Sequence, residues 1–309
     1  MDPTPERLVV QPGNLPAGQT CQSIAANPGA LVSAGLRPAD FPCRPDNGSF
    51  RNMVSELGFA IAPSAFYPAR TTGVGGFQVG FEASYTRISP DRTAAGASAP
   101  YWHLGTRGRS GSINDQPDSL IQIYAVKARK GLPLGFEIAG SLGTIANTGM
   151  WVGGGDLRWA LMEGFRRGLP GILPDVSLGA GVRTVTGTSK FYLTTVGIDV
   201  KMSKPLTLAD TSQLIPTLGY QRILIFGDSN VIDSTPEVDT DNSADFSNNF
   251  TFDKVRVHRH RGLVGLNYRH EIMWLGSQFA FDITEPKDEN PFLVGSRQWT
   301  LSFEAGVFF

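Results

Sequence analysis

From Trp299 onward, apolar side chains fall on every second position: Trp299, Leu301, Phe303, Ala305, Val307 and Phe309 alternate with Thr300, Ser302, Glu304 and Gly306. Successive side chains of a strand point to opposite faces, so this segment has one apolar and one polar row. In water an apolar edge strand is a template for aggregation. In lipid, a sheet closed on itself has no edge, and its outer row must be apolar.

The same alternation recurs upstream, each time bounded by turn residues. The first segment starts at Gly75 and sets Phe77, Val79, Phe81, Ala83 and Tyr85 against Gln78, Gly80, Glu82, Ser84 and Thr86. Further segments lie near 119–130, 134–145, 150–163, 175–186, 190–202, 214–227, 254–269 and 272–284, before the C-terminal one. The expected fold is all-β: a transmembrane antiparallel barrel of about ten strands, within a range of about eight to twelve. A soluble sandwich or solenoid fits poorly, because nearly every segment carries aromatics on its outer row. No run of about 18 apolar residues exists, so no transmembrane helix is expected. High glycine (36 residues) and low charge (18%) suit strands and turns, and a net charge of -1 gives no case for nucleic acid.

The connections supply a second test. With the last strand ending at the periplasm, the external loops would be about 89–118, 146–149, 187–189, 228–253 and 285–295. The periplasmic ones would be about 130–133, 164–174, 203–213 and 270–271. Both of the longest fall outside, the asymmetry expected of such barrels.

The final strand resembles the C-terminal strand of Gram-negative outer-membrane β-barrels. The resemblance implies residence in the bacterial outer membrane, contact with its lipid and lipopolysaccharide, and reading of Phe303, Val307 and Phe309 by the barrel-assembly machinery. A shorter stretch, Ala62-Pro-Ser-Ala-Phe-Tyr-Pro-Ala69, resembles the segment preceding the barrel of the long-chain fatty-acid transporter family, with Tyr67 in place of an asparagine. That family implies fourteen strands and an N-terminal hatch.

Residues 1–74 read differently from the rest: proline-rich, with little alternation and a helix expected over 49–58, ended by Gly58. They form a separate segment, either a periplasmic cap or a plug in the barrel of residues 75–309. Met1 to Glu6 has neither the basic nor the apolar region of a signal peptide, which suits a mature exported form. Cys21 and Cys43 are the only cysteines and read as one disulfide in an oxidising compartment, worth about 3 kcal/mol on loop-closure entropy.

The expected lumen row carries Glu82, Glu137, Asp156, Asp199, Asp282 and Glu304 beside Lys127, Arg129, Arg158, Arg183, Lys201 and Arg269. Charges of both signs in a narrow interior neutralise one another, because an unpaired buried charge is costly. Two readings stay open: a closed, salt-bridged core, or a narrow aqueous channel. Arg256, His258 and His260 share the parity of the lipid-facing row near the external rim, where lipopolysaccharide phosphates would meet them. The histidines at i, i+2 lack a third metal ligand, so no metal and no cofactor are expected. No nucleophile stands beside a base. Gly108-Arg-Ser110-Gly111-Ser112 lacks the closing glycine of a nucleophile elbow. The acidic tract Glu237-Val-Asp-Thr-Asp241 lacks the spacing of a calcium loop. The chain is therefore expected to be no enzyme. It reads first as a porin-like channel for a small solute or amphiphile, with a non-transporting scaffold that holds other envelope proteins as the alternative and an outer-membrane hydrolase as a distant third.

Overall fold

The computed structural model describes residues 1–10, 17–18, 21, 44–64, 66–108, 113–164, 173–209, 211–233 and 249–309. Ten long strands follow in order: β1 (Phe77–Arg87), β2 (Leu120–Gly131), β3 (Phe136–Ile145), β4 (Trp151–Met162) and β5 (Asp175–Thr186). Then come β6 (Phe191–Ser203), β7 (Ser212–Ser229), β8 (Val255–His270), β9 (Met273–Asp282) and β10 (Trp299–Phe308). Each pairs antiparallel with its neighbours in sequence, and β10 pairs with β1, so the sheet closes. Closure is completed by the last residue, whose N–H donates to the Phe77 carbonyl at 2.7 Å.

The alternation decides which face is which. Phe81, Val126, Leu142, Leu157, Val182, Ile198, Leu218, Val264, Leu275 and Phe303, one from each strand, are exposed on the outside. Polar and charged residues of opposite parity are buried inside. Outer aromatics gather at both ends of this band. Phe77, Trp159 and Phe309 mark the end with short turns, and Trp151, Tyr192, Phe226 and Phe281 the end with long loops. An apolar belt between two aromatic girdles is the surface that a bilayer requires. The fourteen strands implied by the fatty-acid transporter resemblance are not present; the barrel has ten.

A helix, α1 (Asn47–Ile61), stands inside the barrel. Asp46 caps it, accepting from Ser49 N at 2.9 Å and Ser49 Oγ at 2.7 Å. It runs past Gly58, where the sequence suggested an end, and stops before Pro63, which forces Ala62 into extended backbone (ψ 147°). Gly58 serves packing instead: a Cβ there would sit 2.5 Å from Ile225 Cγ2 on the wall.

Candidate functional site: the occupied lumen

Eight strands make a barrel whose own side chains can fill it; ten leave room for more. Here residues of the N-terminal segment take up that room. The segment enters at the long-loop mouth, where Thr4 N donates to Gly105 O at 2.8 Å and Asp46 N to Leu8 O at 2.9 Å. After α1 the chain runs extended to the short-turn end and turns into β1. A periplasmic cap was one expectation for this segment. Its first ten residues instead lie against the long loops, because α1 needs the apolar upper wall. Phe50 stacks on Phe252 at 4.3 Å, and Val54 packs at Gly227 and Val255.

Glu56 is the polar fastener of α1. Its carboxylate accepts from Trp102 Nε1 (2.6 Å), Tyr101 Oη (3.0 Å) and Ser89 N (3.0 Å). Trp102 and Tyr101 belong to a short helix in the first long loop, α2 (Tyr101–Leu104). Burial pushes the Glu56 carboxyl above its ordinary 4.5, against the opposing pull of these hydrogen bonds. Below 4.5 the group is protonated whether the helix is seated or released. Above it, the seated form keeps a proton that the released form has lost, so rising pH works against seating. The protection of α1 amides from hydrogen exchange, taken relative to their intrinsic rate at each pH, should therefore fall as pH rises, and Glu56→Gln should flatten that dependence. An unchanged pH profile in the variant would refute the assignment.

Below α1, the wall holds the extended chain by its carbonyls. Gln221 Nε2 donates to Pro63 O at 3.1 Å, and Arg261 donates to the same oxygen. Lys201 Nζ donates to Tyr67 O at 3.0 Å and Arg158 Nη1 to Pro68 O at 2.7 Å. Lower still, Glu137 accepts from Thr72 N at 2.8 Å and Glu163 from Thr71 N at 3.0 Å. The segment suits this role, because Pro63 and Pro68 bring carbonyls without N–H groups to satisfy.

Glu82 pairs with Lys127, and both meet Ser64. Glu137 sits between Arg129 (3.5 Å) and Arg158 (3.3 Å). Asp156 pairs with Arg183 at 2.7 Å, and Asp199 lies 3.4 Å from Lys201. Glu304 stands opposite Glu82 across β10 and β1 and accepts from Gln78 at 3.2 Å. Asp282 pairs with Arg259, which the sequence reading passed over together with Arg261. Both share the strand parity of Arg269, so the alternation itself could have found them. They tip the wall toward positive charge, and donors of Arg158, Lys201 and Arg261 are spent on backbone oxygens of the segment. Arg269 stands apart at the short-turn mouth, over the Phe308 ring at 4.0 Å. Two voids beside the segment measure about 40 and 20 Å³, room for a few waters.

Other candidates separate from the lumen. At the outer rim Arg256 pairs with Asp228 at 3.0 Å. His258 and His260 face Glu289 at 4.0 and 3.8 Å, and His260 Nδ1 meets the Tyr220 hydroxyl. The basic groups of this rim thus already face carboxylates. Cys21 is buried, but Cys43 lies outside the described residues, and the expected pairing with it. The same holds for Arg109 to Ser112 and for the tract 237–241.

The sequence matches no protein-family model. It matches no curated protein either. Solved structures with a similar architecture include Ail, the attachment invasion locus protein of Yersinia pestis, at 11% identity, covering 76% of this chain and 99% of that one (TM-score 0.29). The outer membrane protein OprG from Pseudomonas aeruginosa is 12% identical over 79% of this chain and 99% of its own (TM-score 0.28). The translocator domain of autotransporter NalP from Neisseria meningitidis is 10% identical over 93% and 99% (TM-score 0.34).

Proposed function

We propose that this chain is a Gram-negative outer-membrane barrel closed by its own residues 1–74, and that it acts as a non-conducting envelope scaffold. The observation that carries this reading is the wall's grip on the segment. Gln221, Arg261, Lys201 and Arg158 donate to three of its carbonyls, those of Pro63, Tyr67 and Pro68. Voids of about 40 and 20 Å³ beside it offer no path for a hydrated solute. The long loops face outward in this reading, and α1 braces them from within, which gives a partner envelope protein an ordered surface. The porin-like reading requires the segment to leave or shift. Conductance of the full-length chain against one lacking the segment decides between them, as set out in the Discussion.

The assembly role of the last strand belongs to the same proposal. The Phe309 side chain lies outside on the belt while its backbone closes the sheet against Phe77. Deleting Phe309 should lower the heat-modifiable, folded fraction in cells while leaving refolding into detergent largely intact. Equal losses in both settings would assign the residue to stability alone.

A further inference from the structure

At the short-turn mouth the segment leaves one side of the barrel open, as a cavity of about 440 Å³. That size lies within the range of small-ligand sites, about 300–1,000 Å³. Its lining is chemically uneven. Arg129 and Arg269 both face it, with Trp274, Phe308 and Ile215 as apolar wall. Arg269 has no carboxylate partner among the described residues; its guanidinium meets the Glu271 carbonyl at 3.3 Å and the Phe308 ring. Arg129 and Arg158 share one carboxylate, Glu137, so this corner of the wall carries more positive than negative charge. The second observation is Trp274. Its ring is 3% exposed, and its buried Nε1–H has no acceptor among the described residues. A buried donor left without an acceptor costs free energy; the Trp274 ring borders the cavity between the two arginines, while the Nε1 atom itself is covered by its neighbours. Two carboxylates also border the space. Glu163 is occupied by Thr71 N and Oγ1, and Glu271 is exposed on the tight turn between β8 and β9.

We propose that this cavity is an oxyanion-binding site, in which a carboxylate or phosphate group sits between Arg129 and Arg269 beside the Trp274 ring. The apolar flank of Phe308 and Ile215 accommodates the carbon portion of an organic anion. Guanidinium groups hold such oxyanions by charge-assisted hydrogen bonds, and the neighbouring indole reports occupancy of the site.

The test uses the full-length protein in nanodiscs of zwitterionic lipid. Inorganic phosphate and hexyl phosphate are titrated separately and followed by indole fluorescence, with Trp274→Phe identifying the reporting ring. A saturable signal is expected that Arg269→Gln weakens by about tenfold, the loss expected for one charge-assisted hydrogen bond. Glu271→Gln should shift affinity the other way by removing a nearby negative charge, which a folding defect would not do. Equal binding of both probes supports a site for free oxyanions. Tighter binding of hexyl phosphate supports an amphiphile headgroup. Absence of saturation with either probe, or identical titrations for wild type and Arg269→Gln, overturns the proposal.

Discussion

Planar bilayers holding the purified full-length protein should stay electrically silent, and deletion of residues 1–74 should produce discrete conductance steps. The deletion removes α1 and the extended chain below it from a ten-stranded barrel, whose interior is too wide for its own side chains to fill. It also frees the donors of Lys201, Arg158 and Arg261, which water would then solvate. The opened pore should carry a positive wall and so favour anions, because Arg259 and Arg261 add to six bases set against six acids. Heat-modifiable mobility must first show that the deleted form is folded. Steady conductance in the intact protein would end the closed-barrel reading. Silence in a folded deletion form would place the closure in the wall's own side chains instead.

The second large effect is expected at Arg259 and Asp282, both 1% exposed in their side chains and joined as an ion pair. Arg259 also reaches Ser55 on α1 (3.2 Å) and Gln298 (3.0 Å), so it ties the plug, β8 and the end of the last long loop together. Asp282 further accepts from Gln298 N at 2.7 Å. Arg259→Met leaves a buried carboxylate uncompensated and should destabilise the barrel by about 3–5 kcal/mol. Adding Asp282→Asn removes that charge and keeps an acceptor for Gln298, so the double variant should be more stable than Arg259→Met alone. Denaturant titration of folded fraction in micelles measures both. A single-variant loss below about 1 kcal/mol, the worth of an exposed pair, would mean that water reaches these groups.

Much of this architecture was legible in the sequence. Period-two alternation marks ten strands whose bounds match the structure to within a few residues, and it separates Phe81, Leu157 or Phe303 on the lipid side from Glu82, Arg158 or Glu304 inside. Parity is a strong signal because a slip of one residue would turn every charge of a strand into lipid. The same parity held Arg259 and Arg261, which a count centred on the external histidines overlooked. The helix boundary failed for a different reason. Gly58 reads as a terminator, yet its missing side chain is what lets α1 lie against Ile225.

The barrel itself, with its roughly ten strands, its closure through the last strand, and the inside and outside of its wall, is written in the alternation. These follow from the pleat and from the demand that lipid meet apolar atoms, both local rules. What the lumen contains emerges only once the strands are assembled. Pro63, Tyr67 and Pro68 carry no alternation that names a partner, and their recognition runs through backbone carbonyls, which every residue possesses. Which arginine meets which oxygen depends on distant strands being brought to the same depth, as Arg158 is to Pro68 across 90 positions and Arg261 to Pro63 across 198.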